Sequence, residues 1–272
     1  MTRLERFGFE AVRGAAPLLS EGESFARVVS GHGDYFHLVC DEAEGEIVAR
    51  KKASAFLDAG VPQPVTGDFV RFVYNPQGES RILGVVPRFS EFRRVDPSSS
   101  GHGVQMVAVN FDVLFFVMGI DANFNLNRLE RIRALADDSG CSDRLVLVLS
   151  KCDMGSVPDG LPGDLPRIEL SVKTGQGMDA VRGYATPGRT LALVGSSGVG
   201  KSSLVNALAG EEWMPVQEVQ SWSGKGRHTT TSRELVMLPC GAMALDTPGM
   251  REMGIPGERS SRFRSSATHR FR

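Results

Sequence analysis

One eight-residue run constrains this chain more than any other feature. Gly195-Ser196-Ser197-Gly198-Val199-Gly200-Lys201-Ser202 matches G-x-x-x-x-G-K-[ST] in full. It follows an apolar segment, Thr190–Val194, that reads as a strand, and it opens a helical segment from about Gly200 to Leu208. Strand, glycine loop and helix in that order is the context in which the pattern holds phosphate. The glycines let backbone N–H groups turn inward around a β-phosphate at the positive end of the helix dipole. Lys201 is then expected on the β- and γ-phosphates and the Ser202 hydroxyl on Mg²⁺, with Ser203 on the same first turn.

Composition excludes several other classes. With 272 residues, 41% of them apolar, the chain is long enough for about two domains with real cores. A charged fraction of 23% argues against disorder, and a net charge of −1 argues against a protein that coats nucleic acid. Cys40, Cys141, Cys152 and Cys240 lie far apart without a C-x-x-C pair, which is neither a disulfide framework nor a zinc module. The N-terminus lacks the apolar stretch of a signal peptide, and the run Val113–Met118 is far too short to cross a bilayer. A cytoplasmic location is expected, without a membrane partner.

Residues 1–22 show no strong pattern and are expected to form a loose N-terminal arm. Five short alternating segments follow: Phe25–Val29, Tyr35–Val39, Glu46–Ala49, Asp68–Tyr74 and Arg81–Val86. They suit a small barrel of the OB type over residues 23–90, an architecture that often binds single-stranded nucleic acid but can also simply brace its neighbour. The polar stretch Asp96–Gly103 reads as a linker or mobile loop. Beyond it, buried-strand runs at Asp112–Met118, Leu145–Leu149 and Arg167–Leu170 alternate with a helical pattern at Leu126, Leu129, Ile132 and Ala136. Glu234–Leu238 and Ala242–Leu245 suggest a hairpin around Pro239–Gly241. The alternation predicts a mostly parallel sheet covered on both faces, in an α/β domain over residues 91–254.

Three further motifs fall beside that sheet. Asp246-Thr247-Pro248-Gly249 ends a strand, where Asp246 can hold Mg²⁺ and the Gly249 amide can approach a γ-phosphate. Ser150-Lys151-Cys152-Asp153 follows another strand and resembles the guanine-reading N-K-x-D, with Ser150 in place of Asn. A carboxylate at Asp153 can accept from the N1–H and N2–H of guanine, which adenine does not offer. Ser171, Val172 and Lys173, in the run that continues to Gly175, occupy the place of a loop that backs the base. Between phosphate loop and D-T-P-G lies Ser223-Gly224-Lys225-Gly226-Arg227-His228-Thr229-Thr230-Thr231, where a switch threonine should close on Mg²⁺. Thr230 is assigned that role, between neighbours of the same chemistry.

The base-reading elements precede the phosphate loop, the reverse of the usual order. That permutation, with G-K-G-R-H-T-T-T and D-T-P-G-M-R-E, closely resembles the RsgA (YjeQ) family of circularly permuted GTPases. Val65–Val70, Val86–Arg88, Arg94 and Val107–Asp112 extend the likeness upstream. The resemblance implies an OB-like barrel followed by a permuted P-loop GTPase domain, GTP or GDP with Mg²⁺ as ligands, and action on the small ribosomal subunit and its rRNA. It implies a monomer as well. Met250 stands where many GTPases place a water-orienting Gln, so His228 becomes the candidate for that task beside Lys201 and Thr230. The family's zinc domain is not matched: residues 255–272 contain no cysteine and five arginines, and read as a short basic tail without zinc. A P-loop kinase or ATPase, and a nucleotide-gated RNA-binding module with negligible turnover, are the alternative readings.

Overall fold

The computed structural model describes residues 1–57, 60–95, 103–210 and 233–246. Five strands make the first layer: β1 (Glu23–His32), β2 (Tyr35–Cys40), β3 (Ile47–Lys51), β4 (Phe69–Val73) and β5 (Ser80–Val85). They close as β1-β2-β3-β5-β4-β1, antiparallel throughout except for the parallel pair β3–β5. Alternation turns Ala26, Val28, Phe36, Leu38, Ala49, Val70, Phe72 and Ile82 inward to fill the barrel. Register shifts at Val28/Ser30 and Arg71/Phe72 supply the bends that closure needs. The barrel expected from the five short segments is therefore present, with β1 longer at both ends than its apolar stretch suggests.

The N-terminal residues differ from expectation. Instead of a loose arm, they form two short helices, α1 (Arg3–Arg6) and α2 (Glu10–Arg13). Thr2 and Glu5 close a capping box, and Leu4, Phe9 and Val12 are buried against Phe69 and Val86. The Phe9 ring lies 5.0 Å from that of Phe25 and 5.6 Å from that of Phe69. Four-residue helices are too short to show a 3.6-residue period, so no pattern in the sequence announces this packing.

After the barrel, β6 (Glu91–Val95) pairs antiparallel with β7 (Val104–Val109). The expected linker thus joins two strands of one hairpin; residues 96–102 lie outside the described residues. The second sheet then builds from β8 (Val113–Gly119), β9 (Leu145–Ser150), β10 (Arg167–Glu169), β11 (Thr190–Val194), β12 (Glu234–Met237) and β13 (Met243–Asp246). Its order is β10-β9-β8-β11-β13-β12, parallel except for β12, and one residue pair, Ser30 with Glu234, links β12 to the barrel. All seven residues of β8 are buried, as expected of a central parallel strand. Helix α3 (Leu126–Asp138) covers one face through Leu129, Ile132 and Ala136. Helices α4 (Met178–Tyr184) and α5 (Lys201–Ala209) cover the other through Met178, Val181, Leu204 and Val205.

Buried polar side chains lock barrel and sheet together. Asp68 accepts from Asn110 Nδ2 across the junction at 3.4 Å, and is itself fixed within the barrel by Arg88 in a two-pronged pair at 2.7 and 2.9 Å. Asn110, at φ +51, donates to the Gly67 carbonyl and accepts from the Phe89 amide. Arg27 of β1 reaches Asn110 O at 3.0 Å, Thr190 Oγ1 at 2.9 Å and the Phe7 carbonyl, and lies over the Phe69 ring. Burial pushes the Arg27 pKa down to about 9, against the pull of Asp112 and Asp68. The guanidinium stays charged at neutral pH and sits at the foot of β11, the strand that carries the phosphate loop.

Candidate nucleotide-binding site

The glycine loop leaves β11 at the centre of the sheet, between β8 and β13. Gly195 is there because nothing larger fits: a Cβ would stand 2.3 Å from the Val117 carbonyl oxygen of β8. Val199 tucks its side chain into the core beneath the loop. Gly198 and Gly200 take left-handed φ values of +77 and +98, and a Cβ on either would meet only open space. This bare backbone, capping the nine residues of α5, is shaped for a polyphosphate. Lys201 begins the helix and is 7% exposed; its Nζ donates to the carbonyls of Gly195 (2.9 Å) and Ser196 (3.0 Å). Ser196 is buried, Ser197 exposed, and Ser202 and Ser203 half-buried on the first turn.

Asp246 ends β13 in register with Leu193 of β11, which brings its backbone alongside the root of the loop. Ser202 and Asp246 thus stand on adjoining elements, α5 and β13. His228, Thr230 and Gly249 lie outside the described residues, as do Thr229, Thr231, Met250 and residues 255–272.

The loop expected to read the base is tied directly to the glycine loop. Ser150, the last residue of β9, is buried, and its hydroxyl donates to the Val199 carbonyl at 2.6 Å. Lys151 follows at φ +63. The thiol of Cys152 turns back to the Leu149 carbonyl, and burial pushes its pKa up. Asp153 accepts from the Ser171 hydroxyl at 2.7 Å, with Lys173 Nζ 3.9 Å away. The Ser171 bond, then Lys173, holds its carboxyl below the usual range, so Asp153 is an anion at neutral pH. Ser171 is itself buried, Val172 half-buried and Lys173 exposed, so the two loops expected around the base meet through Ser171 and Asp153. Gly177 lets the second loop close, since a Cβ there would lie 2.1 Å from the Glu169 carbonyl oxygen.

Asp121 belongs to none of the motifs that the sequence displays. It sits in the turn after β8 and accepts from Lys151 Nζ at 2.6 Å. The two are thirty positions apart, and only the register of Gly119 with Ser150 brings them together.

A doubly covered parallel sheet, a phosphate loop at its centre and base-reading loops that precede it in the chain define a P-loop nucleotide-binding protein of circularly permuted GTPase architecture. A family model for the RsgA GTPase matches residues 85–256. The small ribosomal subunit biogenesis GTPase RsgA 2 of Lactiplantibacillus plantarum is 36% identical over 262 residues, covering 93% of this chain and 72% of that protein. The RsgA protein of Methanosarcina acetivorans is 40% identical over 225 residues, covering 80% of this chain and 60% of that one. The chain belongs to the RsgA GTPase family. The crystal structure of YjeQ from Thermotoga maritima shares the fold, with a TM-score of 0.60 at 22% identity over 86% of this chain and 77% of that one. So does YloQ, a circularly permuted GTPase, with a TM-score of 0.53 at 15% identity over 86% of this chain and 75% of that one.

Proposed function

We propose that this protein hydrolyses GTP to GDP and phosphate and acts on the small ribosomal subunit during its maturation, with the barrel turned towards rRNA. The observation that carries the reading is the pair of ties around Asp153. Ser171 fixes the carboxylate and favours its ionised form, and Ser150 binds its loop to the phosphate loop. The loop assigned to the base and the loop assigned to the phosphates are thereby tied to each other. The names of the relatives, small ribosomal subunit biogenesis GTPases, supply the partner.

The chemistry assigned to the chain follows from this arrangement. Loop amides and Lys201 neutralise the phosphate oxygens, in both ground and transition states. Ser202, Asp246 and Thr230 are assigned to hold Mg²⁺, which when bound supplies further charge neutralisation at the β- and γ-phosphates. His228 orients the attacking water, and Gly249 offers its amide to the γ-phosphate. Ser196, Ser197, Gly198, Val199 and Ser203 complete the phosphate side; Lys151, Cys152, Val172 and Lys173 complete the base side.

The working division is an N-terminal segment (1–22), a barrel (23–90), a permuted GTPase domain (91–254) and a basic tail (255–272), acting as a cytoplasmic monomer. Among the described residues no helix is long and apolar enough to cross a membrane. Among the described residues no cluster of three His, Cys, Asp or Glu side chains could hold a metal.

Base selectivity tests this reading. GDP should bind far better than ADP, because adenine leaves the Asp153 carboxylate without donors. Asp153→Asn should move the preference from guanine to xanthine nucleotides. Equal affinity of the unaltered protein for GDP and ADP would overturn the assignment.

A further inference from the structure

The lysine of the base-reading loop has an ionic partner outside that loop. Lys151 Nζ lies 2.6 Å from Asp121 Oδ2, with the side chains 31% and 19% exposed. The acceptor is preorganised: Asp121 Oδ1 accepts from both the amide and the side-chain nitrogen of Asn123, each at 3.0 Å. It is also given room. Gly119, the last residue of β8, stands where a Cβ would lie 2.7 Å from Asp121 Oδ1, so any larger residue would push the carboxylate away. Backbone pairing sets the distance, because the Ile120 amide donates to the Ser150 carbonyl at 3.1 Å.

The lysine stem consequently spans two loops, the one after β8 and the one after β9. Lys151 starts from a left-handed backbone, a conformation that costs a non-glycine residue free energy and needs outside support. The Asp121 contact supplies that support, one residue from Ser150 and two from Asp153. With the ammonium anchored, the loop is ordered before any base arrives, and the cost of ordering it on binding falls.

We infer that Asp121 is a positioning residue for guanine nucleotides: by holding the Lys151 ammonium, it presets the Ser150–Asp153 loop and so sets nucleotide affinity. The inference rests on Asp153 reading the base. Because the loop serves the base alike in GTP and GDP, the contribution is uniform binding, which appears in KM and not in kcat.

A double-mutant cycle on the full chain tests it, using Asp121→Asn, Lys151→Met and the double variant, read by GDP and ADP affinity, GTP kinetics and thermal unfolding. Asp121→Asn should weaken GDP binding and raise the KM for GTP by the same factor, about threefold to tenfold for a half-buried charge-assisted bond, at unchanged kcat. In the Lys151→Met background the same change should do almost nothing, and Asp121→Glu should recover part of the loss. Unchanged GDP affinity in Asp121→Asn, or fully additive losses in the cycle, would overturn the inference while leaving the base reading intact. A drop in melting temperature large enough to explain the weaker binding would assign the pair a structural role and also overturn it. Loss of GDP-over-ADP preference in the unaltered protein would instead strike the base reading itself.

Discussion

At the scale of single residues, the site is governed by close approach and by charge. Gly195 and Gly177 are fixed by carbonyl oxygens that leave no space for a side chain. Lys201 is nearly enclosed and already bonded to the loop it serves, so its replacement should affect every state of the phosphates. Lys201→Ala is expected to weaken GDP binding and GTP turnover together. His228→Ala should lower turnover by roughly 10²- to 10⁴-fold, the range of a positioned acid–base or water-orienting group, at nearly constant GDP affinity. Binding measurements and single-turnover kinetics on the two variants separate these patterns; unaltered turnover in His228→Ala would remove that residue from the mechanism.

At the scale of elements, the strands that position the site are legible in the sequence because they obey one rule. β8, β9 and β11 are continuous apolar runs, as strands buried on both faces must be, and the glycine loop announces α5. Elements that break the rule are not legible. β6 reads Glu-Phe-Arg-Arg-Val and buries only Phe92, so nothing in its composition announces a strand. α1 and α2 bury three apolar side chains through helices of four residues each and the turn between them. Asp121 is hidden for a different reason: a contact between loops follows from strand register, which composition does not encode. The buried N-terminal helices carry a prediction of their own. Phe9→Ala should destabilise the protein by about 3–5 kcal/mol in urea unfolding, as for an aromatic ring removed from a core. A loss under about 1 kcal/mol would return residues 1–22 to the loose arm.

At the scale of the whole molecule, barrel and nucleotide sheet meet through the buried polar side chains of Arg27 and Asn110, and a buried ion pair of the barrel, Arg88 with Asp68, stands beside that junction. Arg88 has a side chain 6% exposed, and its partner Asp68 is fully enclosed. Removing Arg88 takes the counter-charge from an enclosed carboxylate that keeps only hydrogen bonds from the Val65 amide and Asn110 Nδ2, so Arg88→Ala should cost about 3–5 kcal/mol, whereas replacing both with apolar residues should cost much less. Urea unfolding of the single and double variants checks this. Equal losses in the two would show that the pair does not act as a unit. The same junction seats Arg27 at the foot of β11, so the barrel's position and that of the phosphate loop are set by one set of contacts. The most direct test of the account is GTP hydrolysis by the full chain, measured with and without isolated small ribosomal subunits. The account predicts slow turnover alone and a marked rise when small subunits are added, with no rise for ATP. Turnover that small subunits leave unchanged, or that proceeds equally with ATP, would contradict it.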